Sequence, residues 1–347
     1  MRSILHVLPH RGGGGEEMFD MLAGLEGLQH DRCELSPTRE PGRALPSIVA
    51  RWPGIARRAR RYDLLHAHGD VVAILILPLL RRRPSVWYSH GLHLLRRMSG
   101  ARLRVVRAAL RAVVSATNRT ICSSEAERED LAELVAPSLR DRLVVVHNGV
   151  DLPPPAAPDE SARVRRELGV SDDETLCLYL GQLEERKDPG TLVDAVESAT
   201  DAGLVLALAG EGPLLEPLRA RQSPAVRVLG YRDDPHRLLA AADVFVMPST
   251  REGLSLAVLR AMSHSVAVVV SDGPGNPEAV GDAGIVFPAS DSAGLARVLT
   301  ALARDPGERE RLGRAARARI EGHFRKEHFL AGMAHVYEDV LAETERS

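Results

Sequence analysis

The chain has 347 residues, 44% hydrophobic and 27% charged, with 45 basic and 47 acidic side chains and a formal net charge of −2. This is the composition of a soluble globular protein, long enough for two domains with a core each. Three dispersed cysteines (Cys33, Cys122, Cys177) exclude a disulfide framework and a cysteine metal site, and fit a reducing cytoplasm.

The small net charge hides an asymmetry. Residues 1–150 carry 23 arginines and no lysine against 15 acidic residues, net +8; the remainder carries 22 basic against 32 acidic, net −10. The arginine clusters (57–58, 60–61, 81–83, 96–97 and 102–111) read as solvated helix faces or as a surface for peripheral contact with an anionic membrane. Aromatic residues do not interleave with them, so nucleic acid is not an expected partner.

In chain order, the N-terminal segment has too short an apolar run for a signal peptide and predicts a first strand, Ile4–Leu8. A glycine run, Gly12-Gly13-Gly14-Gly15, follows and lets backbone approach a ligand, a weak signal by itself. Further strands are expected at Asp63–Ala67, Ser85–Ser89, Arg119–Ser123 and Leu143–Val146. The run Val71–Leu80 is half a membrane span and contains Pro78, which favours a buried helix over a transmembrane one. His66 and His68 alternate along their strand; we expect them to face opposite sides, and expect no metal site. His90 stands at a strand end.

A proline-rich connector follows, Asp151–Asp159. It separates a first domain (1–152) and linker (153–160) from a second domain (161–322), with a terminal helix over 323–347. The second half predicts strands at Thr175–Leu180, Leu204–Ala209, Val226–Leu229, Val244–Met247, Ala267–Val270 and Gly284–Phe287. Strands alternating with helical segments throughout predict an α/β chain of two Rossmann-like, doubly wound parallel-sheet domains, with a ligand cleft facing the carboxyl ends of their strands.

The most informative stretch is Ser249–Met262. It follows an apolar strand and opens a helix, so free amides and the positive end of the helix dipole point at one spot. There Glu252 can accept hydrogen bonds from sugar hydroxyls while the amides of Gly253, Leu254 and Ser255 hold a phosphate. The same stretch resembles the Glu-x7-Glu signature of retaining glycosyltransferases with the GT-B fold, glycosyltransferase family 4 (glycosyl transferases group 1). Glu252 is its first glutamate and Ala261-Met262 its Ala-Met pair; Arg260 replaces the second glutamate, which contacts the nucleotide ribose in the family.

Further pieces fall in the family's order. Gly14 and Gly15 belong to its diphosphate loop, Asp63–His68 looks like its D-x-x-H-x-H, and His90 takes the place of a histidine beside the transferred sugar. His147–Asp151 matches N-G-V-D. Gly181–Asp188 aligns with G-R-L-x-x-x-K-G, with Lys187 as the lysine that neutralises the leaving diphosphate and Gln182 where the family has arginine; Arg186 could supply the missing charge, although its side chain should point elsewhere. Gly212 lies in the G-x-G-P loop, and Gly230, Tyr231 and Arg232 align with the nucleobase region.

The resemblance implies a retaining, metal-independent glycosyltransferase that moves a sugar from a nucleoside diphosphate sugar to a hydroxyl of a small molecule, glycan or lipid-linked acceptor. His90, Glu252 and Lys187 would be catalytic, with no cofactor. Neither Asp172-Asp173 nor Asp233-Asp234 forms an Asp-x-Asp after a strand, which speaks against a metal-dependent GT-A enzyme. Gln182 and Arg260 leave a second reading open: an altered or decayed donor site, serving an unusual donor or a non-catalytic partner subunit. A nucleotide-sugar epimerase would need acid/base carboxylates for which no residues stand out.

Overall fold

A computed structural model of the chain describes residues 1–10, 14–36, 45–154 and 157–346. Within them twelve strands form two six-stranded sheets, every pairing parallel. The first holds β1 (Arg2–Leu8), β2 (Leu28–Glu34), β3 (Leu64–His68), β4 (Ser85–Tyr88), β5 (Arg119–Cys122) and β6 (Leu143–Val145), in spatial order 2-1-3-4-5-6. The second holds β7 (Thr175–Leu180), β8 (Leu204–Ala209), β9 (Val226–Gly230), β10 (Val244–Met247), β11 (Ala267–Ser271) and β12 (Ile285–Phe287), ordered 12-11-10-7-8-9. The contacts divide into one unit of Met1–Asn148 with Lys326–Ser347 and another of Gly149–Arg325.

Inner strands of a parallel sheet are covered on both faces, so they read as continuous apolar runs. Every residue of β7, β8, β10 and β11 is buried, for this reason. The expected strands recur, three of them with identical bounds (β7, β8, β10) and the rest within one or two residues. β2 is an addition. Its sequence, Leu-Gln-His-Asp-Arg-Cys-Glu, is polar because it is an edge strand, with only Cys33 buried.

The run Val71–Leu80 is helical but broken: helices Asp70–Leu75 and Leu77–Leu80 meet at Ile76, one residue before the turn that holds Pro78. Pro78 has no N–H to continue the ladder. Val72, Ala73, Ile76 and Leu80 are buried. The connector is shorter than expected, because helix Pro158–Leu168 starts inside it with Pro158 in its first turn, where a missing N–H costs nothing. Among the described residues no helix is long and apolar enough to cross a membrane.

The last helix, Lys326–Glu345, packs into the first unit. Its Phe329, Met333, Val336, Tyr337, Val340 and Leu341 share a core cluster with Ile4, Leu64, Val86, Tyr88 and Ile121, alternate residues of the first sheet that face one side.

Candidate active site

In a doubly wound sheet the chain runs outward from a starting strand in one direction, then returns to build in the other. The loops on either side of that switch diverge and leave a crevice. In the second sheet β7 leads to β8 and β9 on one side, and β10 lies on the other, so the switch falls between β7 and β10. Lys187 ends the 3-10 turn Glu185–Lys187 after β7, and Glu252 lies in the loop after β10. Sixty-five residues apart in sequence, the Lys187 ammonium and the Glu252 carboxylate are in direct contact.

Glu252 is 7% exposed. Ser249 Oγ donates to its Oε1 at 2.7 Å, and the guanidinium of Arg186 stands 3.7 Å from its Oε2. Burial works against ionisation, but the charges of Lys187 and Arg186 and the hydrogen bonds from Lys187 and Ser249 outweigh it and hold the carboxyl below the usual range. The site therefore presents a buried carboxylate flanked by two cations. Arg186 does not point elsewhere, as its place beside Lys187 in sequence implied. Both side chains of the 3-10 turn reach the Glu252 loop, and Arg186 also donates to Arg251 O and to Glu184 Oε1, both at 2.8 Å.

The loop that carries Glu252 is locked from below. Asn276 Nδ2 donates to Ser271 Oγ at 3.0 Å, Ser271 Oγ donates to Ser249 O, and the Glu252 amide donates to Pro274 O at 3.2 Å. Gly275 has φ +84°, and a Cβ there would stand 1.5 Å from Gly253 O. Gly275→Ala is therefore expected to displace the Glu252–Gly253 backbone and cost about 2–4 kcal/mol, read by urea denaturation. A wild-type midpoint would show that the loop tolerates the shift.

The neighbouring loops owe their glycines to close backbone approach. A Cβ on Gly210 would meet Gly181 O at 1.7 Å, and one on Gly212 would meet Leu183 O at 2.3 Å. Leu183 N donates to Glu211 O at 2.8 Å, and Leu214 N to Leu183 O at 2.9 Å, which pins the loops after β7 and β8 together. Asp188 occupies a left-handed position (φ +48°) where the family motif has glycine; its side chain accepts from Thr191 Oγ1 at 2.8 Å and Ser290 Oγ at 2.9 Å.

The other expected contacts divide. Gly253, Leu254 and Ser255 are buried, and Ser255 precedes helix Leu256–Ser263 without a side-chain cap. Arg260 sits in the last turn of that helix, half-buried, and burial lowers its pKa. Gln182 has an exposed side chain and contributes its carbonyl, which accepts from Tyr179 Oη at 2.7 Å. Gly230 has φ +74°, and Tyr231 is 65% exposed. Arg232 is held in a two-pronged side-chain pair with Asp234 at 2.6 and 2.7 Å. Gly14 and Gly15 open helix Gly14–Leu22; a Cβ on Gly15 would sit at an ordinary 3.7 Å from Leu8. Gly12 and Gly13 lie outside the described residues.

In the first unit His90 follows β4 with φ +51°, an uncommon conformation for a non-glycine residue, shared by Leu92 at φ +49°. Its ring stacks on Tyr88 (centroids 4.1 Å) and its Nε2 lies 3.0 Å from His68 Nδ1. Burial, then the charge of nearby His93, pushes His90 down to about 3. His66 and His68 do not face opposite sides. They are two apart on β3, so they share a face, and their rings stack at 4.0 Å. His6 joins them from β1, in register with His66. All three are buried, with ligand atoms within 4.8 Å of one another. The period-two spacing was the signal available in the sequence; it indicated convergence.

The family model described as "Glycosyltransferase Family 4" matches residues 9–153, and that described as "Glycosyl transferases group 1" matches residues 174–305. Alpha-maltose-1-phosphate synthase of Mycobacterium tuberculosis is 31% identical over 318 residues, covering 83% of this chain and 82% of the relative. The protein of that name from Mycolicibacterium smegmatis is 30% identical over 374 residues, covering 95% and 96%. Among solved structures, Anabaena Alr3699/HepE in complex with UDP-glucose superposes with a TM-score of 0.81 at 19% identity, over 98% of this chain and 100% of that one. Sucrose-phosphate synthase from Thermosynechococcus elongatus gives 0.83 at 19%, over 99% and 100%. With two such sheets, a glutamate and a lysine meeting at the switch point of the second, and relatives of this identity along most of its length, the chain belongs to glycosyltransferase family 4 and is a glycosyltransferase of the GT-B fold.

Proposed function

We propose that the chain transfers a sugar from a nucleoside diphosphate sugar to a hydroxyl acceptor, with retention and without a metal ion. The observation that carries the reading is the contact of Lys187 with buried Glu252, with Arg186 beside it. Breaking a sugar–diphosphate bond builds negative charge on the leaving oxygen, which fixed cations can meet. On donor binding, the diphosphate competes for Lys187 and the sugar hydroxyls take its place on Glu252. Arg186 stays close enough to keep the carboxylate ionised throughout. His90, by family resemblance, attends the transferred sugar. Structures of HepE hold UDP and UDP-glucose, which supports a nucleotide sugar here.

Gln182 brings no charge to the diphosphate, so Lys187 and Arg186 carry that task in this reading. The alternative of an altered donor site rests on Gln182 and on half-buried Arg260. A cytoplasmic setting is part of the proposal, supported by three free, buried cysteines. So is peripheral contact with an anionic membrane, supported by exposed Arg102, Arg104 and Val105 (69% exposed) on helix Gly100–Ala116.

The test is calorimetry of the purified protein with UDP, GDP, ADP, dTDP and their sugar conjugates. We expect micromolar binding of one nucleotide, strengthened at least tenfold when Gln182→Arg adds a charge-assisted bond. Binding of none, with no rescue in Gln182→Arg combined with Arg260→Glu, would refute a working donor site of the family kind.

A further inference from the structure

Three adjacent strands of the first sheet, in the order β2-β1-β3, and the loop after the next strand, β4, each supply one histidine to a continuous row of hydrogen bonds. His30 Nδ1 lies 2.9 Å from His6 Nε2, His6 Nδ1 lies 2.9 Å from His68 Nε2, and His68 Nδ1 lies 3.0 Å from His90 Nε2. His6 and His68 are wholly buried and use both ring nitrogens in the row. His66 stands beside it, its Nδ1 2.8 Å from Tyr337 Oη.

The proton count of such a row has one free choice. Each neutral imidazole carries one N–H, donor on one nitrogen and acceptor on the other. Four rings hold four protons; three lie in the three hydrogen bonds. The fourth must sit at an end, on His30 Nε2 or on His90 Nδ1. His30 Nε2 is buried without a partner. An N–H there would be an orphaned buried donor, which folded proteins avoid more strictly than an unmet acceptor. The half-buried His90 ring keeps Nδ1 outside the row, so the proton belongs there.

We propose that His6 and His68 are positioning residues that set the tautomer of His90, so that it offers an Nδ1–H donor to the ligand. All four rings then share the Nδ1–H form, with His6, His68 and His90 accepting on Nε2, and His90 meets an oxygen of the transferred sugar as a neutral hydrogen-bond donor. This rests on the proposed placement of His90 beside the transferred sugar. Burial, the largest influence on each ring, keeps the row uncharged.

A metal ion held by His6, His66 and His68 is the competing use of these side chains, and His66 Nε2 is unpartnered. Both ring nitrogens of His6 and of His68 are already engaged, so it would have to break hydrogen bonds of the row and bring a divalent charge into a site whose three ligands are neutral and fully buried. The row already satisfies four of the six nitrogens of those three rings with no such cost, or five with the Tyr337 contact.

The experiment is long-range nitrogen–proton NMR of the free protein labelled with ¹⁵N-histidine, joined to steady-state kinetics. We expect His90 as the Nδ1–H tautomer in the wild type. His68→Asn, whose amide N–H stands where Nδ1–H donates, should keep that tautomer; His68→Leu should lose it, with kcat falling about tenfold or more and KM little changed. An Nε2–H His90 in the wild type overturns the proposal with no variant needed. So does an unaltered tautomer in folded His68→Leu, or one equivalent of zinc retained by the purified protein after dialysis against a chelator. A lost tautomer with kcat unchanged in both His68→Leu and His90→Ala supports the coupling and instead refutes the role of His90 in transfer.

Discussion

Lys187→Ala is expected to lower kcat/KM by about 10²–10³-fold, the effect of removing one preorganised group that stabilises charge developing in a transition state. The structure adds a second consequence. Because Lys187 contacts a buried Glu252, the variant also strips a buried carboxylate of its nearer cation. Removing one partner of a buried pair costs about 3–5 kcal/mol when nothing else compensates. Here Arg186 at 3.7 Å and the Ser249 hydroxyl at 2.7 Å remain, so we expect a loss below that range.

Kinetics and urea denaturation of Lys187→Ala, Glu252→Gln and the double variant separate the two effects. The stability losses should be less than additive, since either change removes the same pair. The loss of kcat/KM in Lys187→Ala should persist under conditions where the denaturation curve shows the variant fully folded. Full activity in Lys187→Ala would end the assignment of Lys187 to the diphosphate.

Acidification below about pH 6.5 is expected to destabilise the first unit. His6, His66 and His68 lie well below the ordinary histidine value, and His90 is pushed down to about 3, burial being the largest cause in each. In the unfolded chain each takes a proton near pH 6.5. Between that value and the native pKa the unfolded state binds more protons, so stability is full above about pH 6.5 and falls as pH drops below it. Each histidine contributes up to about 1.4 kcal/mol per pH unit in that window. Four together reach about 5 kcal/mol per unit, against total stabilities of about 5–15 kcal/mol.

The groups packed around the cluster do not offset this. Tyr88 and Tyr337 are raised by burial and stay neutral across this range. Glu252 acts in the other unit and only below its ordinary value near 4.5. Urea midpoints between pH 7.5 and 5.0 check the expectation. A flat profile would mean that the cluster is hydrated or already charged.

Most strands could be read from the residues, because a parallel sheet buried on both faces demands unbroken apolar runs such as Val244–Met247. β2 escaped for the converse reason: an edge strand beside solvent keeps its polar residues and loses the pattern. Glu252 and Lys187 were also legible, each in a local motif with a chemical reason for its residue type. Their contact was not, since it depends on β10 returning beside β7, and nothing within either motif encodes strand order. Arg186 was misjudged because a 3-10 turn, not a strand, sets its direction. The histidine row is the clearest case. Its members come from positions 30, 6, 68 and 90, and only the spatial order 2-1-3-4 puts them in sequence. Local pattern reports what a segment must bury or bind; which segments become neighbours is decided when the whole sheet closes over its core.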